Sequence, residues 1–349
     1  MTFARVIAIR SFSCSTERQL WKVVFYGSDS FSLKSLHLLN KNRLKKTEIP
    51  QVIDSIKVVC PKLKGVVSDY ALKEDLPVSE WPYSVPVDTF DVGVVVSFGH
   101  LIPASSIHAC KYGMINVHPS LLPRWRGAAP LVHTLLAGDT ESGISVITVS
   151  PKRFDTGKIL AQKTVTVPQG IHLAEYTNMM ANLGANLLLQ CLQDLPGLLS
   201  QAHEQGSDGV TKASKISPSM GAVHWAQHTA DYIDRLYRAV GNFTTLTTFW
   251  HGCKVRLFDM VPPTQLATAK LEELVKTRNV KPGHIYYHAK RKILCIKCKE
   301  GWVAFSAITI KGHKKMTATD FNCGFLSKVP EHEQLFSEEN VTREAAENT

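Results

Sequence analysis

The sequence predicts an α/β chain in which a mostly parallel sheet covered by helices is followed by a small C-terminal β-barrel. Three observations carry this reading. Short apolar runs alternate with helical runs from Trp21 to Leu195. Short strand-like pieces with glycine turns crowd the stretch beyond Thr245. Charge is divided unevenly between the two halves. At 349 residues, two domains are the natural expectation. The apolar fraction of 44% is ordinary for a chain with real cores. No run of about 18 or more apolar residues occurs, so no membrane span is expected.

The chain opens with "MTFARVIAIRSFSCSTERQL", where Arg5, Arg10 and Arg18 sit among Ser and Thr with no acid before Glu17. On a helix Phe3, Val6, Ile7 and Ile9 cluster roughly opposite the arginines. Residues 1–20 therefore read as a mitochondrial transit peptide. "WKVVFYG" is a short apolar strand ending at Gly27, and Ser28 and Asp29 can cap the helix "SFSLKSLHLLNKN". "IKVVC" (56–60), "DVGVVVSFG" (91–99) and "GMINVHP" (113–119) continue the strands. "SGISVITVS" and "GKILAQKTVTV" add two more before the long helix "HLAEYTNMMANLGANLLLQCLQDL". Unbroken apolar strands between helices suit a parallel sheet buried on both faces. The first strand runs into "GSDSFS" rather than G-x-G-x-x-G, so no NAD site is expected.

The first domain spans 21–205 on this reading, and the polar, Gly-, Ser- and Lys-rich stretch 206–220 is a linker. In 221–328 the helix "TADYIDRLYRAV" sets Ile233, Leu236, Tyr237 and Val240 on one stripe. "TLTTFWHGCKVRLFDMV", "GHIYYHA", "KILCIKC" and "GWVAFSAITIKG" supply the strands of the barrel. Residues 329–349 are acidic and are expected to be a disordered tail.

The net charge of +10 is concentrated, with +3 over 1–210, +12 over 211–328 and −5 over 329–349. The C-terminal half is thus the part suited to a polyanionic partner, nucleic acid above all, although a basic surface can also be merely soluble. The eight cysteines form no framework, which fits a reducing compartment. Cys295 and Cys298 make one CxxC. Zinc needs two more ligands, and strand alternation would send residues three apart to opposite faces, so no metal is expected there.

"INVHPSLLPRWRGAAP" (115–130) is the unusual stretch. Asn116 and His118 lie two apart on a strand and share a face. Pro119 holds His118 extended at the strand's end, where ligands sit in open α/β sheets. An amide and an imidazolium can together hold a carbonyl oxygen that turns negative during attack. An isolated N-x-H also fits a satisfied buried pair. In "PKRFDTGKIL", Asp155 precedes Thr156-Gly157 between two strands. It reads either as a turn residue or as a carboxylate that steadies His118 and relays a proton. Lys152 and Arg153 beside it can steer a phosphate or form a solvated surface pair.

"NVHPSLLPRWRGAAP", with "FDTG" about 40 residues on, resembles the formyltransferases that use 10-formyltetrahydrofolate. "VVFYGSDSFSLKSL", "GVTKASKIS" and "GHKKMTATDF" support the likeness, which spans nearly all of 21–328. The last two resemble the tRNA-binding extension that formyltransferases of small substrates lack. The resemblance implies a Rossmann-like domain without a nucleotide cofactor, followed by an OB-like barrel that holds RNA. It implies formyl transfer from 10-formyltetrahydrofolate to the free amine of methionyl-tRNA, serving translation initiation in the mitochondrial matrix. Asn116 and His118 would bind the formyl oxygen, and Asp155 would position His118 and shuttle a proton through water. Ser120, Leu121, Leu122 and Pro123 would line the folate site, with Phe98, Gly99, Leu101 and Ile102 around the pterin. Lys62, Lys64, Arg124, Arg126, Lys212, Lys215, Lys314 and Lys315 would meet tRNA. Lys62 and Lys64 stand where bacterial members carry a longer basic loop. No metal, no NAD, no membrane and no second subunit is called for.

Two rivals stand beside this reading. A formyltransferase or deformylase of small molecules would have no use for the +12 segment. An inactive RNA-binding protein on the same fold would have no use for Asn116, His118 and Asp155.

Overall fold

The computed structural model describes residues 20–241, 243–266 and 280–338. The leader expected over 1–20 therefore lies, but for Leu20, outside the described residues, as does the tail beyond 338. In chain order the first half runs β1 (Trp21–Gly27), α1 (Ser30–Arg43), β2 (Ile53–Cys60), α2 (Val66–Lys73), β3 (Val78–Glu80), β4 (Val92–Val96) and α3 (Ala104–His108). It continues with β5 (Met114–His118), β6 (Arg126–Gly127), α4 (Pro130–Ala137), β7 (Glu141–Thr148), β8 (Ile159–Thr166), α5 (Leu173–Gln193) and α6 (Leu195–Gln201).

The main sheet has the order β3-β2-β1-β4-β5-β7-β8. The strands from β3 to β5 are parallel, whereas β7 and β8 are antiparallel to their neighbours. β8 follows β7 directly, and the segment between them is too short for the crossover of about a dozen residues or more that a parallel neighbour needs. Both faces are buried, as the unbroken apolar strands predict. Val23 and Phe25 of β1 join α1 and α5 in one core, while Val24 and Tyr26 join Phe98, Ile102 and Ile107 in another. Asp29 caps α1, its Oδ1 accepting from Ser32 N at 2.9 Å. The sequence reading did not resolve α2, β3, α3 and α4, which are short elements.

The second half comprises β9 (Lys212–Ala213), α7 (Ala230–Val240), β10 (Leu246–Trp250), β11 (Cys253–Met260), β12 (Ile285–His288), β13 (Ile293–Lys297), β14 (Trp302–Ile310), β15 (Met316–Thr317) and α8 (Ala318–Gly324). Its antiparallel sheet has the order β10-β11-β14-β13-β12, with β15 beside β14. α7 buries Ile233, Leu236, Ala239 and Val240, and Tyr237 is only half-buried. Across to the first half, Arg235 Nε donates to Leu136 O of α4 at 3.0 Å.

The reading of 329–349 as a disordered tail is corrected for its first part. Ile285 N donates to Gln334 O at 2.8 Å, and Ser337 N to Phe249 O at 2.9 Å. The segment 334–337 thereby bonds to both outer strands of the sheet, β12 and β10, the second also bridged by Ala222 at Thr247, and closes the barrel. Phe336 is 1% exposed and stacks on Trp225, with ring centroids 6.0 Å apart. The apolar pair Leu335-Phe336 among acids was the signal for this order. Residues 206–220 are likewise held: β9 pairs in parallel with β6. No described helix is long and apolar enough to cross a membrane.

Candidate active site

β5 delivers Asn116 and His118 to the same side at the carboxyl end of the parallel sheet, with His118 as its last residue. His118 is 4% exposed. Its Nε2 lies 2.9 Å from Trp125 O, which can only accept, and its Nδ1 lies 3.4 Å from Asp155 Oδ1. Asn116 Nδ2 lies 3.4 Å from that same oxygen. The second oxygen, Oδ2, accepts from Gly127 N at 2.9 Å. The sequence-predicted trio thus meets at one point.

Asp155 comes from the loop between β7 and β8 and adopts φ 55, a left-handed conformation that is costly for most side chains. Gln205 holds this backbone, its Nε2 donating to the carbonyls of Asp155 at 2.9 Å and Gly157 at 2.8 Å. Gly157 has a different reason to be glycine. A Cβ there would stand 1.7 Å from Thr148 O, so the need is for close approach rather than for a special turn.

The 3.4 Å contacts are long for hydrogen bonds, so the Asn116 amide and the His118 Nδ1 remain able to turn toward a guest oxygen. Two donors converging beside a carboxylate form an arrangement that stabilises an oxyanion and moves a proton. Because acceptors face both ring nitrogens, only an imidazolium, with an N–H on each, donates to both.

The trio opens onto a cavity of about 500 Å³, within the usual range for a small-molecule site. Its wall includes Phe98, Gly99, Leu101 and Ile102, the residues expected around a pterin. Ser120, Leu121, Leu122 and Pro123, expected at the folate site, are not on this wall. They lie behind it. Ser120 and Leu122 are buried, and Leu122 packs on Ile147 and Ile159. Ser145 Oγ donates to Ser120 O at 2.7 Å and accepts from Leu122 N at 3.0 Å. Gln162 Nε2 donates to Leu122 O at 2.9 Å. The stretch braces His118 from behind. The cavity lining also takes in Phe154 and Phe243, 55% and 64% exposed, and Arg153, which directly precedes Phe154.

The expected tRNA cations divide into two sets. Arg124 forms a bidentate pair with Asp139, at 2.6 and 2.9 Å, and lies over the Trp125 ring at 4.4 Å. Arg126 donates twice to Gln205 Oε1, at 2.6 and 2.9 Å. Lys315 pairs with Asp259 at 2.8 Å. Lys62, Lys64, Lys212, Lys215 and Lys314 are exposed. Arg124 and Arg126 are therefore structural clasps as they stand.

Sequence reasoning singled out the stretch that holds Trp125 and Gly127 without giving either a role, and it missed Gln205, Thr211 and Phe243. Cys295 and Cys298 enter different cores, as the alternation predicted, and burial pushes both thiols up to about 12. Among the described residues no group of three or more His, Cys, Asp or Glu side chains is placed to hold a metal.

Two family models match the chain, "Formyl transferase" over residues 82–192 and "Formyl transferase, C-terminal domain" over 215–326. The mitochondrial methionyl-tRNA formyltransferase of Homo sapiens is 41% identical over 314 residues, covering 89% of this chain and 79% of that protein. The protein of the same name from Bos taurus is 40% identical over 316 residues, again with 89% and 79% covered. Among solved structures, HypX from Aquifex aeolicus in complex with tetrahydrofolic acid is similar with a TM-score of 0.54 at 18% identity. That match covers 89% of this chain and 48% of HypX, so this chain spans about half of HypX, and the likeness is one of fold.

Proposed function

The chain belongs to the formyl transferase family, and on that premise we propose that it moves a formyl group from 10-formyltetrahydrofolate to the amino group of methionyl-tRNA. The product, formylmethionyl-tRNA, serves translation initiation in mitochondria, the compartment named for the mammalian relatives. The observation that carries the chemistry is the convergence of Asn116, His118 and Asp155 at the 500 Å³ cavity.

The geometry supports the following roles. The methionyl nitrogen attacks the formyl carbon, forming a new C–N bond as the carbonyl oxygen takes up negative charge. The Asn116 amide and the His118 imidazolium hold that oxygen. The bond from the formyl carbon to the folate N10 then breaks. The proton lost by the amine is balanced by the one gained at N10, with His118 and Asp155 as its carriers. Phe98, Gly99, Leu101 and Ile102 line the space for the flat ring of the donor. Residues 21–205 do the chemistry, and 221–328 hold the RNA, in a single subunit.

The test is formyl transfer to methionyl-tRNA, measured against uncharged tRNA and small amines. Equal transfer to small amines, or release of formate without an acceptor, would overturn the substrate assignment.

Phe154 and Phe243 form an exposed aromatic rim beside the catalytic loop. Stacking of an unpaired base on an aromatic ring contributes about 1–3 kcal/mol. Phe243→Ala is therefore expected to raise KM for methionyl-tRNA by roughly 5- to 150-fold while kcat is retained. An unchanged KM would remove the rim from the RNA path.

Salt separates the free cations from the paired ones. KM for methionyl-tRNA should rise steeply with salt as phosphate contacts release counterions. Each of Lys212→Ala, Lys215→Ala and Lys314→Ala should lower the log–log slope by about one. Arg124→Ala and Arg126→Ala should act on kcat instead, because their partners lie within the protein. Unaltered slopes in all three lysine variants would show that these cations do not meet phosphate.

A further inference from the structure

Two backbone atoms within three residues aim the catalytic pair. Trp125 O accepts from His118 Nε2 at 2.9 Å, and Gly127 N donates to Asp155 Oδ2 at 2.9 Å. β6 is only two residues long and cannot hold them by itself. Trp125 stands at φ 63 and Gly127 at φ 130. A bulky residue keeps a left-handed conformation only when its surroundings impose it.

The surroundings here are the segment leading to the basic domain. Thr211 Oγ1 accepts from Trp125 N at 2.8 Å, and Thr211 O accepts from Arg126 N at 2.9 Å. β9 then pairs Lys212 with Arg126 and Ala213 with Gly127. The approach is close: a Cβ on Gly127 would stand 2.4 Å from Ala213 O. On the far side Asp139 Oδ2 accepts from Trp125 Nε1 at 2.8 Å, so the residue is gripped from both directions.

We infer that Thr211 is a positioning residue for formyl transfer, setting His118 and Asp155 through the backbone of Trp125–Gly127. The segment that tethers the RNA-binding half is thereby part of the frame of the active site. This rests on the proposed function for its kinetic consequence and on the hydrogen bonds alone for its structural one. A misplacement of about 1 Å in reacting groups can cost on the order of 100-fold in rate, so one lost anchor has a measurable effect.

The experiment compares Thr211→Val, which keeps the shape and loses the hydroxyl, with Thr211→Ser, which keeps the hydroxyl, in the full-length protein. Steady-state kinetics are measured together with NMR of histidine-labelled protein, the His118 ring signal being identified by its loss in His118→Ala. Thr211→Val is expected to lower kcat about ten-fold or more, with KM for both substrates nearly unchanged and the His118 signal displaced. Thr211→Ser should restore both. If Thr211→Val does not fold, Thr211→Ala takes its place, since it also lacks the hydroxyl. An unmoved His118 signal overturns the inference, whatever happens to kcat. So does a change confined to KM for methionyl-tRNA, which would make Thr211 an RNA contact, and so does failure of Thr211→Ser to rescue. An inactive wild-type protein would instead overturn the proposed function and leave the His118 signal to decide the positioning role.

Discussion

His118→Ala is expected to lower kcat by about 10²–10³-fold or more, the usual consequence of removing one oxyanion donor. Asn116 would remain as a single donor beside Asp155, and nothing would carry a proton to the folate nitrogen. Binding should survive, because the cavity walls at Phe98, Leu101 and Ile102 belong to a different loop. The alanine also leaves Trp125 O without its donor and leaves space in a tightly packed region, so some loss of stability accompanies the loss of rate. Equilibrium binding of folate and tRNA, measured alongside single-turnover transfer, separates these effects. Wild-type kcat in this variant would end the assignment of His118.

Asp155→Asn should be at least as damaging, on the order of 10³–10⁴-fold in kcat, by analogy with buried aspartates that orient a catalytic histidine. The reason lies in the bonding of its two oxygens. Oδ1 faces the Asn116 amide and His118 Nδ1, while Oδ2 accepts from Gly127 N. An asparagine has only one acceptor atom. Placed toward Asn116 and His118, its oxygen leaves an NH2 against the Gly127 N–H. Flipped, it sets the NH2 against the donors that must bind the formyl oxygen. Either orientation opposes two donors, at about 1–3 kcal/mol for the unsatisfied group, and both remove the negative charge. Single-turnover transfer is the measurement. A loss of less than about ten-fold would mean that the carboxylate serves only to shape its loop.

The legible parts of this molecule were those whose reason is local. Asn116 and His118 could be paired from strand alternation, because that rests on side-chain type and short spacing. Asp29 as a cap and the stripe on α7 were readable in the same way. Asp155, 39 positions from Asn116, read equally as a turn residue and owed its place to the family likeness. The illegible parts depend on distant partners. Thr211 looks like linker composition, and its bond to Trp125 spans 86 positions that no local pattern connects. Ser120 to Pro123 were expected at the folate site from the family likeness alone, and no local pattern showed that Ser145 and Gln162 would hold the backbone of Ser120 and Leu122. Arg124 and Arg126 looked like free cations until Asp139 and Gln205 proved to hold them. The antiparallel turn of β7 and β8 was hidden for another reason. β7 lies inside the sheet and is buried along its middle, so it is as apolar as its parallel neighbours.

Closure of the barrel by residues 334–337 bears on how the protein is made. A ribosome releases the chain from its N-terminus onward, so the first half can fold while the second is still emerging. The barrel has to wait. β12 stays open-edged, β10 is bridged on its outer side, among the described residues, only at Thr247 by Ala222 and Val223, and Trp225, Trp250 and Phe321 lack the Phe336 ring beside them, until residues 334–337 are free. A reading frame stopped at codon 330 would encode every residue proposed for chemistry and nearly all of the basic charge. It would still yield a protein with β12 unpaired on one side and β10 only partly covered, and such edges are the surface from which chains join one another and precipitate. A late nonsense mutation would therefore be a lesion of solubility before it was one of catalysis.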